Sequence, residues 1–549
     1  MRLRHLLAGL LLAPCAALTA QQDAATLHAD SLRGSVTPER AWWDVAYYDL
    51  SVRIQPADSS IRGANRITYR ALAPGRTLQI DLQQPLVADS FVQDGRVLQS
   101  RRDGNAYIVT LPAEQSAGST ATLAVFYGGK PHVAKRAPWD GGFVFTADSL
   151  GRTVIATACQ GTGASIWWPT KDIQSDEPDS QRVAITVPDA IRNISNGRLR
   201  SSTPNGDGTT TWEWFVTSPI NNYDIAVNAA SYGHLEDSYE GEGGRLTLNY
   251  WPLDYHLEAA RRQFAQVKPM LACFEHWFGP YPWYADGYQL VETPHLGMEH
   301  QSAVAYGNRY LNGYLGRDLS GSGRGLSWDF IIIHESAHEW WGNNLTTADI
   351  ADMWVHESFA NYAEGLFVEC GQGKEAGAEY NRGNRRSIRN DAPIVGEYGL
   401  NREGSGDMYP KGGNMLHTIR QVVGDDEVWR RTLRGLNEVY RHQVVTGREV
   451  QDYISWQAGR DLSRIFAQYL TTTKIPTLEY RIAGRQLHFR WVDVVPGFDL
   501  PLPVKLEGEG YTTLHPSGAW QSVRYTRGAT DSLSVHPDYY VKTQAAPVE

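Results

Sequence analysis

From Ala41 onward the chain alternates: Tyr48, Leu50, Val52 and Ile54 are apolar, and Asp49, Ser51 and Arg53 between them are polar. A two-residue period is that of a strand with one buried face. Ile67 with Tyr69, then Leu78, Ile80 and Leu82, repeat it between turns rich in Gly, Pro and Asp, and similar short runs continue to about Tyr239. These runs predict an all-β domain over residues 38–246, with EGEGG at 240–244 as its boundary loop. Past Asp254 the period moves towards 3.6, because Leu257, Ala260, Phe264, Val267 and Leu271 fall on one helical stripe, which Gly279, Pro280 and Pro282 end. YQLVET at 288–293 reads as a strand and GSGRG at 321–325 as a loop. Helices then dominate to Leu470, and Thr446 with Glu449 form a capping box for one of the last. After Pro476 alternation returns, with Leu478, Tyr480 and Ile482, a turn at Gly484, then Leu487, Phe489 and Trp491. The chain is therefore a multidomain α+β protein: β over 38–246, mainly helical over 247–473, and a small β-sandwich over 474–549. Residues 21–37 are short and polar, a loose leader.

With 549 residues the chain is too long for one core and calls for two to four domains. Its 42% apolar and 20% charged composition is ordinary for a globular protein. A formal charge of −10 argues against nucleic acid or an anionic membrane as the main partner, since both require a basic face. Met1 to Ala20 has two arginines, an apolar run and then small residues, the pattern of a secretory signal peptide cleaved after Ala17 or Ala20. The expected destination is export, periplasmic or secreted. Pro14 before Cys15 is a poor context for a lipid anchor, and no other segment has 18 consecutive apolar residues, so no membrane span is expected after cleavage. Removing Cys15 leaves Cys159, Cys273 and Cys370, which make at most one bridge; three small buried thiols are the expectation.

The chemistry concentrates at 327–365. His334 and His338, four residues apart, lie one above the other on a helix and can grip one ion, with Glu335 pointing about 100° round the helix, near the ion but not on it. That position suits a base. A catalytic Zn²⁺ takes three protein ligands and leaves a fourth place for water. The third candidate is Glu357, 19 residues after His338. Ser327 can cap the first helix, and Gly342 followed by two asparagines ends it. A second helix from about Trp354 puts Phe359, Tyr362, Ala363, Leu366 and Phe367 at core spacing and turns Glu357, Asn361 and Glu364 to the first. A lone H-E-x-x-H also occurs on ordinary helices, and the glutamate at that spacing is what makes accident a poor explanation.

With these residues placed, the chain resembles the aminopeptidase N and leukotriene hydrolase family of zinc metallopeptidases. HEWWGN, WVHESFANYAE, DVAYYDLSVRI from Asp44, QSDEPDS at 174–180 and YPKGGNMLHTIRQVVG at 409–424 all resemble that family. The resemblance implies a saddle-like first domain, a thermolysin-like catalytic domain, a single Zn²⁺, and a substrate that is a peptide with a free N-terminus. It implies that Glu299, in LGMEH at 296–300, holds the terminal ammonium, with Gly297 and Met298 lining the cleft. Leu296 and His300 depart from the family's G-x-M-E-N. It further implies that Gln160, in TACQGTG, accepts from the ammonium through its amide oxygen, and that Tyr409 donates to the oxyanion. Tyr380 and Tyr398 precede no K-G pair. Asp349, Asn361 and Glu364 are left open as groups orienting the ligand histidines. The alternatives are a thermolysin-like endopeptidase, which has no need of Glu299, an epoxide hydrolase, and an exported zinc-binding module without catalysis.

Overall fold

The computed structural model describes residues 26–506, 510–524 and 533–547; the Met1–Ala20 leader, its cleavage positions and Cys15 lie outside them. Strand Trp43–Gln55 is the spine of the first half, its side chains at Tyr48, Leu50, Val52 and Ile54 buried as the alternation requires. It pairs antiparallel with Ser60–Ala71 and parallel with Ser180–Pro188 inside an eight-stranded sheet. Trp43, Trp167 and Trp168 fill the core beneath it.

The EGEGG segment is the turn of a hairpin between strands Leu235–Gly241 and Gly244–Trp251. The second of these pairs parallel with Tyr288–Glu292, and that sheet continues through Val304–Tyr306 to Gly297–Met298, the strand that leads into Glu299. The sheet of the catalytic half thus begins ahead of this loop. The stripe over 257–271 divides into helices Leu257–Gln263 and Val267–Phe278 across a tight turn at Phe264–Gln266, and Gly279 stops the second at φ +94°. The capping box of Thr446 and Glu449 is formed. After Pro476 a four-stranded and a three-stranded sheet make up the C-terminal β unit, and Asp538 fastens it to the helices through Arg382 at 2.5 Å and His417 at 3.3 Å. No helix of the described residues is long and apolar enough to cross a membrane.

Two expectations are corrected. Cys273 and Cys370 are joined, with Cα atoms 6.0 Å apart, and among the described residues Cys159 is the one free, buried thiol. Helix Val267–Phe278 packs beside the end of Trp354–Gln372, which brings together positions 97 apart in sequence. The leader is not loose from Thr26 on, since residues 26–34 are helical. Arg40, wholly buried, donates to the carbonyls of Leu32, Arg33 and Ser35 at 2.8–3.1 Å and to Asp81 at 2.5 Å, folding the segment back on itself. Asp30 in turn receives Arg402 at 2.6 Å, and its carbonyl accepts from Asn401 at 3.1 Å. The contacts with Asp81, Asn401 and Arg402 run between distant segments, so no local pattern announces them.

Candidate metal and peptide site

The first site helix, Phe330–Ala337, starts at Asp329 rather than Ser327: Asp329 Oδ1 accepts from the backbone N–H groups of Ile331 at 3.1 Å and Ile332 at 3.4 Å. A carboxylate reaches two of the orphan donors at once, whereas Ser327 turns back to the carbonyl of Arg324. Regular helix ends at Ala337, but His338 keeps helical angles (φ −65°, ψ −19°), so the four-residue stacking of the two imidazoles survives, their centroids 5.1 Å apart. Gly342 turns the chain out at φ +124°. The second site helix, Trp354–Gln372, presents Glu357, Asn361 and Glu364 to it.

Each imidazole has one nitrogen committed. His334 Nδ1 lies 2.8 Å from Glu364 Oε1, and His338 Nδ1 lies 2.9 Å from the carbonyl of Trp341. Both Nε2 atoms therefore face Glu357 Oε2, at 3.6 and 3.4 Å, and that buried oxygen has no hydrogen-bond donor. The edge of a tetrahedron of ligands at zinc distances is about 3.3–3.5 Å, so these three atoms fit one such cation. They form the one group of its kind among the described residues.

Electrostatics favour the same occupant. Burial opposes charge on Glu357, yet His338 and His334 beside it hold the carboxyl well below its usual range. Burial likewise opposes protonation of His338, but Glu357 raises it to about 9. Burial pushes Glu335 up to about 7, with His334 pulling the other way, and burial also raises Glu299. Two histidines cannot balance this many buried carboxylates, and a divalent cation would.

The ligands open on a cleft of about 710 Å³ whose lining includes Gln160, Gly297, Met298, Glu299, Glu335 and Tyr409. A Cβ on Gly297 would lie 2.6 Å from Glu335 Oε1, so any larger residue there would displace the Glu335 carboxylate. Glu299 Oε1 accepts from Gln160 Nε2 at 2.6 Å and from the Tyr223 hydroxyl at 3.1 Å, and the same Gln160 nitrogen reaches Glu357 Oε1 at 3.1 Å. Gln160 thus turns its NH₂ to the carboxylates, while the sequence reading has its oxygen accept from a substrate ammonium. With both neighbours anionic, a donor is what the pair demands. The Tyr409 ring lies 5.9 Å from that of His334, and burial followed by the charge of Glu357 pushes its phenol well above the usual value, so it keeps its proton.

Of the three groups left open as orienters, Glu364 is the one on His334. Asn361 Nδ2 donates to Glu364 at 3.2 and 3.3 Å, while Asp349 instead caps a turn at Ile350–Asp352 and holds the N–H of Gly399. Tyr380, set aside at the sequence level, donates to Glu364 Oε2 at 2.7 Å; Tyr398 donates to Asp352. Tyr223 was missed, and NNYD at 221–224 offers no signal that would find it. Leu296 lines the cleft, whereas His300 is wholly buried with neither ring nitrogen partnered; burial lowers it to about 3 and keeps it neutral.

Residues 45–223 match the Peptidase M1 N-terminal domain, and residues 262–469 the Peptidase family M1 domain. Probable aminopeptidase 1 of Sulfurisphaera tokodaii is 23% identical over 339 residues, 57% of this chain and 41% of that protein. Aminopeptidase B of Rattus norvegicus is 24% identical over 292 residues, 49% of this chain and 41% of its own length. The chain spans less than half of either relative. Among solved structures, an M1 zinc metallopeptidase from Deinococcus radiodurans superposes with a TM-score of 0.66 at 21% identity, over 81% of this chain and 98% of that one. At that identity the likeness is one of fold.

Proposed function

Since this chain belongs to peptidase family M1, we propose that it is a zinc-dependent aminopeptidase, hydrolysing the first peptide bond of peptides whose N-terminus is free. The observation that carries this reading is the position of Gln160, one nitrogen of which touches both Glu299, at 2.6 Å, and the metal ligand Glu357, at 3.1 Å. An ammonium anchored at Glu299 would therefore sit about one residue from the metal ligand Glu357. An endopeptidase would need that space open.

Bound at His334, His338 and Glu357, zinc supplies Lewis acidity that polarises the scissile carbonyl and makes water acidic. Glu335, beside the ligands and off them, takes the proton of the attacking water in its ionised form and passes it to the leaving amine. The Tyr409 hydroxyl donates to the carbonyl oxygen as negative charge grows there, a contact stronger in the transition state than in the substrate. Glu299 accepts from the ammonium, with the Tyr223 hydroxyl steadying the carboxylate. As the ammonium arrives, the Gln160 amide turns and offers its oxygen.

Export belongs to the same reading. It rests on the signal-like composition of Met1–Ala20 and is supported by the Cys273–Cys370 bridge, a bond that reducing compartments keep open.

The test compares one peptide with its N-acetylated form, with and without a chelator. Release of the first residue from the free peptide alone, abolished by the chelator and restored by Zn²⁺, is expected. Internal cleavage of both forms would make the protein an endopeptidase, and zinc content without turnover a binding module.

A further inference from the structure

Four cleft carboxylates have tasks: Glu357 and Glu364 at the histidines, Glu335 as base, Glu299 at the amine. Glu403 lines the same cleft and has none. Among the described residues no donor or cation reaches its carboxylate, although it has every chance to find one on an exposed loop. Its neighbours are all engaged. Asn401 donates to the carbonyl of Gly161 at 3.2 Å, and Arg402 pairs with Asp30 at 2.6 Å. Gly404 lies so close to Ile394 that an added Cβ would collide with its carbonyl, and the Ser405 N–H donates to Pro393 at 2.8 Å. The backbone on both sides is thus held in place while the side chain between is left unpaired.

Six positions on along this loop comes Tyr409, and the charge of Glu403 is felt by both Tyr409 and Glu357. A first residue fixed by its ammonium at Glu299 and by its carbonyl at the zinc ligands leaves its side chain to lie against the rest of the cleft lining, of which Glu403 is part. Among the described residues no lysine or arginine lines the cleft, and Met298 and Ile350 supply apolar surface on which a long aliphatic stem can lie. We propose that Glu403 selects peptides whose first residue carries a cationic side chain, lysine or arginine, by pairing with that charge. This rests on the aminopeptidase reading above.

Arginyl, lysyl, leucyl and alanyl naphthylamides, hydrolysed by the zinc-loaded full chain and by its Glu403→Gln variant, test it. The wild type should prefer the two basic substrates. Glu403→Gln should lower kcat/KM for them about tenfold, chiefly through KM, and leave the two apolar ones within about twofold. Equal rates for basic and apolar substrates in the wild type, or an equal loss on all four in the variant, overturn the proposal. Absence of turnover on every substrate would instead refute the aminopeptidase reading. Calorimetric titration with L-argininamide and L-leucinamide then still reads selection: a preference for argininamide lost in Glu403→Gln supports it, and equal affinities overturn it.

Discussion

His334 Nδ1 and Glu364 Oε1 stand 2.8 Å apart, on helices whose sequence positions differ by 30. The contact fixes which imidazole nitrogen is left for the metal, and Asn361 and Tyr380 hold the carboxylate in turn. Glu364→Gln should weaken zinc binding by about 10–100-fold, the usual effect of losing such an outer contact, with Tyr380→Phe weaker in the same direction. Competition against a chromogenic chelator measures both. Unchanged affinity in Glu364→Gln would mean that the imidazole needs no such partner.

Glu335→Ala should keep its zinc and lose about 10²–10⁴-fold or more in kcat. Metal analysis alongside turnover separates the base from the ligands. Burial raises the Glu335 carboxyl from 4.5 to about 7 in the metal-free chain, and a neighbouring cation favours the ionised form. The base works only when deprotonated. Activity should therefore rise with pH along a limb whose midpoint lies between those two values in the zinc-loaded protein, and a midpoint above 7 would assign the limb to another group.

Glu299→Ala removes the acceptor for the ammonium. Free-amine substrates should lose about 10–150-fold in kcat/KM, the worth of a hydrogen bond to a charged group, and Gln160→Ala less. Zinc content should not change in either. Loss of metal together with activity would show that the Gln160 bridge serves the ligand instead of the substrate.

Burial opposes charge on Asp538, yet His417 and Arg382 hold its carboxyl well below the usual range. A depressed carboxylate contributes stability that is complete above its unfolded value, about 3.9, and disappears as pH falls through the folded one. Wild type and Asp538→Asn should accordingly differ in melting temperature by a constant amount above pH about 5, the gap closing with acid below about 4. A gap independent of pH would exclude this clip between the C-terminal unit and the helices.

The Cys273–Cys370 bond closes a loop of 97 residues and ties the end of the helix that carries Glu357. Replacing both cysteines by serine should cost about 2–4 kcal/mol of stability in denaturant titrations. Zinc affinity, set at the other end of that helix, should stay as it is.

What spacing alone discloses about this site is mostly local. His334, Glu335 and His338 are bound by helical spacing, Glu357 is marked by its place 19 residues after His338, and the strands of both β units show by alternation. What it withholds is how groups meet across the molecule. Gln160 meets Glu357 over 197 positions, and its amide orientation depends on two carboxylates no linear pattern brings together. Tyr223 reaches Glu299 across 76, and Arg40 is buried by carbonyls of its own leader and by Asp81. Asp329 over Ser327 as the helix cap is a smaller case: both residue types suit the position, and the tie is decided by Gln263, Tyr306 and Asn308, which hold Asp329 in place.

The hairpin turn at 240–244 bears on how this protein could be taken apart. A fragment starting at 247 would begin inside strand Gly244–Trp251, lose its partner Leu235–Gly241 and leave that shortened strand as an open edge, three strands away from Gly297. A single protease nick in the turn severs only the covalent link, since each flanking strand stays hydrogen-bonded to the other. Two coexpressed pieces split there should reassemble into an active enzyme, whereas pieces split after the second strand should not.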